Sequence, residues 1–199
     1  MKLFSQRGPL SMSGGFVKAN LLFPPVVAVV ACVIPAFCKS TLAGDILAAL
    51  PVSVGLAPYF LLTVLVFYHW VMNAVQMMMA AAMHPKGLEN GDPRAVKFDG
   101  VLSRLRAASL NGFEANGYAA CMVLVGSKLP ACGRNVTDPC ISPDLFARLT
   151  LLFALTRCLY YPLYALDIDY IRSATWLTGF VSLIAIGAAP FFGFTSYLQ

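Results

Sequence analysis

Long apolar stretches separated by short charged ones dominate this 199-residue chain. No Lys, Arg, Asp or Glu occurs between Asp45 and Lys86, and within that interval Ala57 to Met83 is an unbroken spanning length, since about 20 apolar residues cross the hydrocarbon core of a bilayer. A second run, from about Ala107 to Gly126, is interrupted only by Glu114. A third lies between Arg148 and Asp167 and holds Arg157 alone, and a fourth follows Arg172, after which no charged residue occurs. A shorter run, Leu21 to Cys38, carries Pro24, Pro25 and Pro35 and reads as one additional membrane helix. The expected fold is therefore all-α: an integral membrane four-helix bundle over 57–199, preceded by a basic tail containing Gly and Ser at 1–20 and by an extra apolar helix and connector at 21–56.

Composition agrees. Apolar residues make up 59% of the chain and charged residues 12%, with a mean hydropathy of +0.74, whereas a soluble domain is nearer half apolar. Lys2, Arg7 and Lys18 precede an apolar run, as in a signal peptide or an organellar presequence. No small-x-small cleavage pattern follows, and Pro9 among Gly and Ser makes a poor amphipathic helix, so a retained segment is expected. With five spans, nine basic residues (Lys2, Arg7, Lys18, Lys86, Arg94, Lys97, Arg104, Arg106 and Arg172) fall on one side and four (Lys39, Lys128, Arg134 and Arg148) on the other. The richer side is expected to face the cytosol or matrix.

The candidate chemistry lies in polar residues written into the apolar runs: Arg104, Asn111 and Glu114, then Arg157, Tyr160 and Tyr164, then Arg172 and Ser173. In the five-span topology all three blocks meet at the positive face. At 100° per residue Arg104, Ala107, Asn111, Glu114 and Tyr118 share one helical stripe, as do Arg157, Tyr160 and Tyr164. An unpaired charge in hydrocarbon costs roughly 2.5 to 3.5 kcal/mol on insertion scales, so charges kept there serve a ligand or one another. Arginine forks bind carboxylates, Glu114 suits an ammonium, and an arginine or tyrosine stabilises a thiolate. Glutathione has all of these groups. Mutual neutralisation of Arg104, Glu114 and Arg157 between packed helices is the alternative.

Other features carry plainer expectations. Arg106 and Arg148 point away from the two stripes and read as interfacial anchors that snorkel to headgroups. Pro162 lacks the N–H that would bond the carbonyl of Cys158 and is expected to kink its helix beside Tyr160 and Tyr164. Cys32, Cys38, Cys121 and Cys158 fall in spans and read as small buried residues, and Met77-Met78-Met79 as soft packing at a helix interface. Cys132 and Cys140 share a loop and can pair as a disulfide if that side is an oxidising compartment. The sequon Asn135-Val136-Thr137 lies in the same loop. His69 and His84 read as packing or interfacial residues. No zinc pattern, phosphate loop, nucleophile elbow or basic nucleic-acid array occurs, and the net charge of +5 is accounted for by membrane flanks. A channel or transporter has little support, because no repeat is visible.

Taken in order, Asp92-Pro93-Arg94-Ala95, Gly100, Arg104, Asn111-Gly112-Phe113-Glu114-Ala115, Arg157 with Tyr160 and Tyr164, and Ile171-Arg172-Ser173 with Trp176 resemble the MAPEG family, membrane-associated proteins in eicosanoid and glutathione metabolism. The likeness covers roughly Ala57 to Phe192 and is nearest the bacterial-type branch. It implies a four-helix bundle that forms a homotrimer and binds glutathione between protomers, with no metal. Arg104, Asn111 and Glu114 match glutathione-contacting positions of the second helix. Arg157, Tyr160 and Tyr164 match the third-helix seam, and Arg172 matches the arginine credited with activating the thiol.

Two departures stand out. Where better-studied eukaryotic members carry Arg-Ala-His ahead of the asparagine, this chain has Ala107-Ala108-Ser109. One lost charge-assisted hydrogen bond costs about 1.5 to 3 kcal/mol, or about ten- to a hundredfold in affinity. The N-terminal helix and tail are the second. Two functions are thus open: a glutathione transferase or peroxidase acting on a lipophilic substrate, or a noncatalytic subunit of a larger membrane complex, mitochondrial respiratory for example. Lipids are the expected surroundings, in the mitochondrial inner membrane or the endoplasmic reticulum, with no nucleic-acid partner.

Overall fold

The computed structural model describes residues 15–83, 100–128 and 141–192. All regular structure among them is helical: α1 (Gly15–Cys38), α2 (Thr41–Ala48), α3 (Ala57–Met83), α4 (Gly100–Lys128), α5 (Pro143–Ala165) and α6 (Asp169–Phe192). The protein is an integral membrane protein. Two helices are long and apolar enough to cross a bilayer, α3 over its whole length and α6 over Tyr170–Ala189. The bent pair α1–α2 counts as a third if it forms one span. α4 and α5 have 29 and 23 residues, long enough at 1.5 Å each, but their polar seams depress their hydropathy.

Helix α5 is the hub and touches every other described helix, most extensively α6. α3 packs on α4 and α5, and α4 packs on α5 and α6, while α1 lies against α5 and α6. The main core joins Val30 and Ile34 of α1, Ala119 and Val123 of α4, Leu149 and Phe153 of α5, and Leu183 and Ile186 of α6. A second cluster seats α2 through Ala43 and Leu47 against Leu61 of α3 and Leu151 of α5.

The apolar run Leu21 to Cys38 lies within α1, and the connector after it holds α2, bent 55° from α1, where Ser40 caps α2 by accepting from the Ala43 N–H at 3.2 Å. Arg148 holds this corner and is not the exposed anchor expected. Its Nη1 donates to the carbonyls of Cys38 (3.1 Å) and Ser40 (2.8 Å), and its Nε to Asp144 at 2.7 Å. Gly44 leaves room for it, because a Cβ there would lie 3.0 Å from Arg148 Nη2. A helix end has carbonyls without helical partners, and here a cation from α5 supplies the donors.

Two other expectations are corrected. Met77, Met78 and Met79 all lie on the outer surface of the chain, while Gln76 and Ala80, on either side of them, face inward. Cys32 and Cys121 are likewise on outer faces, with Cys38 buried and Cys158 half-buried. Cys132, Cys140, His84 and the sequon lie outside the described residues.

If Arg148 clamps the corner, Arg148→Ala should cost about 1.5 to 3 kcal/mol, the range of a charge-assisted hydrogen bond, and Arg148→Lys should restore only part of it. Thermal unfolding in detergent reads this. An alanine variant as stable as the parent would dismiss the clamp.

Candidate functional site

Helices α4 and α5 carry the two polar seams, and the structure brings them together. Asn111 Nδ2 donates to the Tyr160 hydroxyl at 3.4 Å. Asn111, Glu114 and Tyr118 from α4, Arg157 from α5, and Trp176 and Phe180 from α6 line a cavity of about 460 Å3, a size that suits small-molecule ligands. Its deeper wall is apolar, built by Met122, Leu183 and Ile184.

Arg157 is the critical residue of this cavity. It is 3% exposed. Nη2 reaches the Trp176 carbonyl at 3.5 Å, while Nε and Nη1 are buried without a hydrogen-bond partner. The guanidinium lies 5.3 Å from the Phe153 ring centre and 5.7 Å from that of Tyr160. Aromatic faces attract a cation, but they do not replace its donors' acceptors. Mutual neutralisation does not occur, since none of the ion pairs among the described residues joins Arg157, Glu114 and Arg104.

A second cavity, about 260 Å3, is lined by Tyr160, Tyr164, Arg172, Ser173 and Trp176. Trp176 is common to both cavities. The Arg172 guanidinium sits 4.3 Å from the Tyr164 ring centre, and Tyr164 packs against Tyr160 with centroids 5.2 Å apart. Arg104 lines neither cavity. It donates to the Ala165 carbonyl at 3.3 Å and faces Asp167 at 3.8 Å, while Arg172 faces the other oxygen of Asp167 at 4.0 Å.

Beneath the seams lies a buried polar network. Tyr161 donates to Ser109 at 2.8 Å, and Ser109 donates to Gln76 at 3.0 Å. His69 is 1% exposed and shares a hydrogen bond with Asn116 at 3.0 Å. Gly112 permits this approach of α3 to α4, since a Cβ there would come within 2.9 Å of the His69 ring. Helix α5 continues through Pro162 to Ala165, and the Cys158 carbonyl left without a helical donor accepts instead from the Tyr68 hydroxyl at 3.0 Å.

Of the residues expected from sequence, Asn111, Glu114 and Arg157 share the first cavity, Tyr160, Tyr164, Arg172 and Ser173 share the second, and Arg104 flanks them. Sequence reading missed Asp167, Tyr68 and Gln76. Asp167 had a signal, as an acid at the short charged break between the third and fourth apolar runs. Tyr68 and Gln76 had none, being single polar positions in α3. Among the described residues no cluster of His, Cys, Asp or Glu could hold a metal.

Comparison with known families finds one match: the model of the MAPEG family covers residues 55–192. No curated protein and no solved structure matches. Helices α1 and α2 precede the matched residues.

Tyr68→Phe should destabilise the chain by roughly 1 to 3 kcal/mol, the cost of a buried acceptor left without a donor. In a Pro162→Ala background, where the alanine N–H can bond the Cys158 carbonyl, the same change should cost much less. A double-mutant cycle on unfolding in detergent measures this coupling. Equal costs in both backgrounds would show that Tyr68 does not compensate for the proline.

Proposed function

Because the chain belongs to the MAPEG family, we propose that it is a glutathione-dependent transferase or peroxidase acting on a lipophilic substrate, built on a MAPEG-type bundle of α3 to α6 with α1 as an additional membrane helix. The observation that carries the reading is Arg157, a buried guanidinium with two nitrogens without partners facing a cavity it shares with Asn111 and Glu114. A tripeptide with two carboxylates and an ammonium supplies the missing acceptors for the arginines and a partner for Glu114.

The reacting group then belongs beside Arg172, in the cavity with Tyr160, Tyr164 and Ser173. A fixed cation stabilises the thiolate over the thiol and so raises the nucleophile's concentration at neutral pH. The thiolate forms a bond from sulfur to an electrophilic carbon as the leaving group departs with its electron pair, or to a peroxide oxygen as the O–O bond breaks. The apolar wall of Met122, Phe180, Leu183 and Ile184 suits a substrate arriving from the bilayer. Ser109, at the position where a histidine stands in better-studied members, is committed to Gln76 and Tyr161, so its hydroxyl serves packing.

A second reading, a noncatalytic subunit of a larger organellar complex, draws on one observation. α1 and α2 lie before the family-matched residues and are fastened to α5 through Arg148. Such a pair could dock the bundle to other subunits.

Arg172→Ala should abolish the ultraviolet thiolate signal of bound glutathione and turnover, with the folded fraction unchanged; a signal equal to the parent's would remove Arg172 from that role. Native mass in mild detergent separates the two readings. A particle near three times the 21.4 kDa chain, plus detergent, supports the free enzyme. Co-migration with a much larger assembly supports the subunit.

A further inference from the structure

The turn between α5 and α6 holds a carboxylate that its backbone does not require. Asp167 has φ 60, the left-handed region that glycine adopts without steric cost. Around it the Ile168 N–H bonds the Leu163 carbonyl at 3.1 Å and the Asp167 N–H bonds the Tyr164 carbonyl at 3.3 Å, the two bonds of a Schellman helix end, in which this position is usually Gly or Asn. Either of those would close the helix. The acid adds something else: its Oδ2 faces Arg104 of α4 at 3.8 Å and its Oδ1 faces Arg172 of α6 at 4.0 Å.

We propose that Asp167 is a tethered counter-anion, which occupies Arg104 and Arg172 in the absence of ligand and yields them to the ligand's anionic groups, a carboxylate at Arg104 and the thiolate at Arg172. This rests on the assignment of those arginines to ligand binding. Both contacts are long for charge-assisted hydrogen bonds, and the Asp167 side chain is 58% exposed, against 31% and 22% for its two partners. A loosely held, hydrated carboxylate is displaced easily. Arg172 lines the cavity with Tyr160, Tyr164 and Ser173, so an anion drawn to it from that cavity competes with Asp167 for the same guanidinium. Arg104 Nε, buried without a partner, shows that Asp167 does not satisfy the site it faces. Its cost to a ligand is competition; its gain is one negative charge shared between cations of two different helices when the site is empty.

The test uses the full-length chain in detergent, with Asp167→Asn and Asp167→Gly, both compatible with the left-handed backbone. Glutathione affinity is measured by equilibrium dialysis, and the accessibility of Arg104 and Arg172 by phenylglyoxal labelling and peptide mass spectrometry. Both variants should bind glutathione roughly two- to tenfold more tightly at low salt, the span of two partly exposed ion pairs, with the gain shrinking at high salt. Both should label faster at the two arginines. Unchanged labelling in both variants overturns the proposal, as does unchanged or weaker binding by variants of a parent that binds. A parent that does not bind glutathione, with faster labelling in the variants, would sink the proposed function and leave the counter-anion standing.

Discussion

Inside a bilayer every polar group must find its partner within the protein, and α5 is where this chain meets that demand. The helix touches all five other described helices, so its polar atoms have neighbours on every side. Arg148 closes the α1–α2 corner, Tyr161 enters the Ser109–Gln76 network, and the carbonyl released by Pro162 is met by Tyr68. Even Thr150 and Thr156 turn their hydroxyls back onto carbonyls of the preceding turn. Against this background Arg157 is conspicuous. A helix that satisfies a proline's missing N–H from another helix has left two guanidinium nitrogens without acceptors, on a residue that lines a cavity.

The same residues mark how far the sequence was legible. Period and charge pointed to polar seams on α4 and α5, because a polar residue's angular position follows from helix geometry, and the structure divides those residues between two cavities with Arg104 in neither. Arg148 was misread by that logic. Its position opposite the Arg157 seam is right, yet the face it points to is covered by α1 and α2, and nothing local foretells a long-range contact between residue 148 and the carbonyls of residues 38 and 40. The methionine run failed for a related reason: sequence gives a residue's softness and its angle, while the neighbour on that side comes only from tertiary packing. Tyr68 is the clearest limit. Its hydroxyl matters because of a proline 94 residues later.

Trp176 belongs to both cavities. Its carbonyl accepts from Arg157 while its indole stacks on Phe180, 5.1 Å away and 14° from parallel. The two cavities differ in chemistry. One joins Asn111, Glu114 and Arg157 to an apolar slope, and the other joins two phenols, a hydroxyl and Arg172.

The N-terminal clamp and the polar site sit at opposite ends of α5. Arg148 and Tyr164 are sixteen residues apart, roughly 24 Å at 1.5 Å per residue, and share no hydrogen-bond partner. Effects of changes at such a distance are ordinarily additive. Loosening or altering the α1–α2 attachment is therefore expected to leave the arginines at the far end undisturbed, and a change among those arginines to leave α1 in place. The proposed catalytic seam and the alternative docking helix pair place no conflicting demands on α5, because each draws on a different end of it.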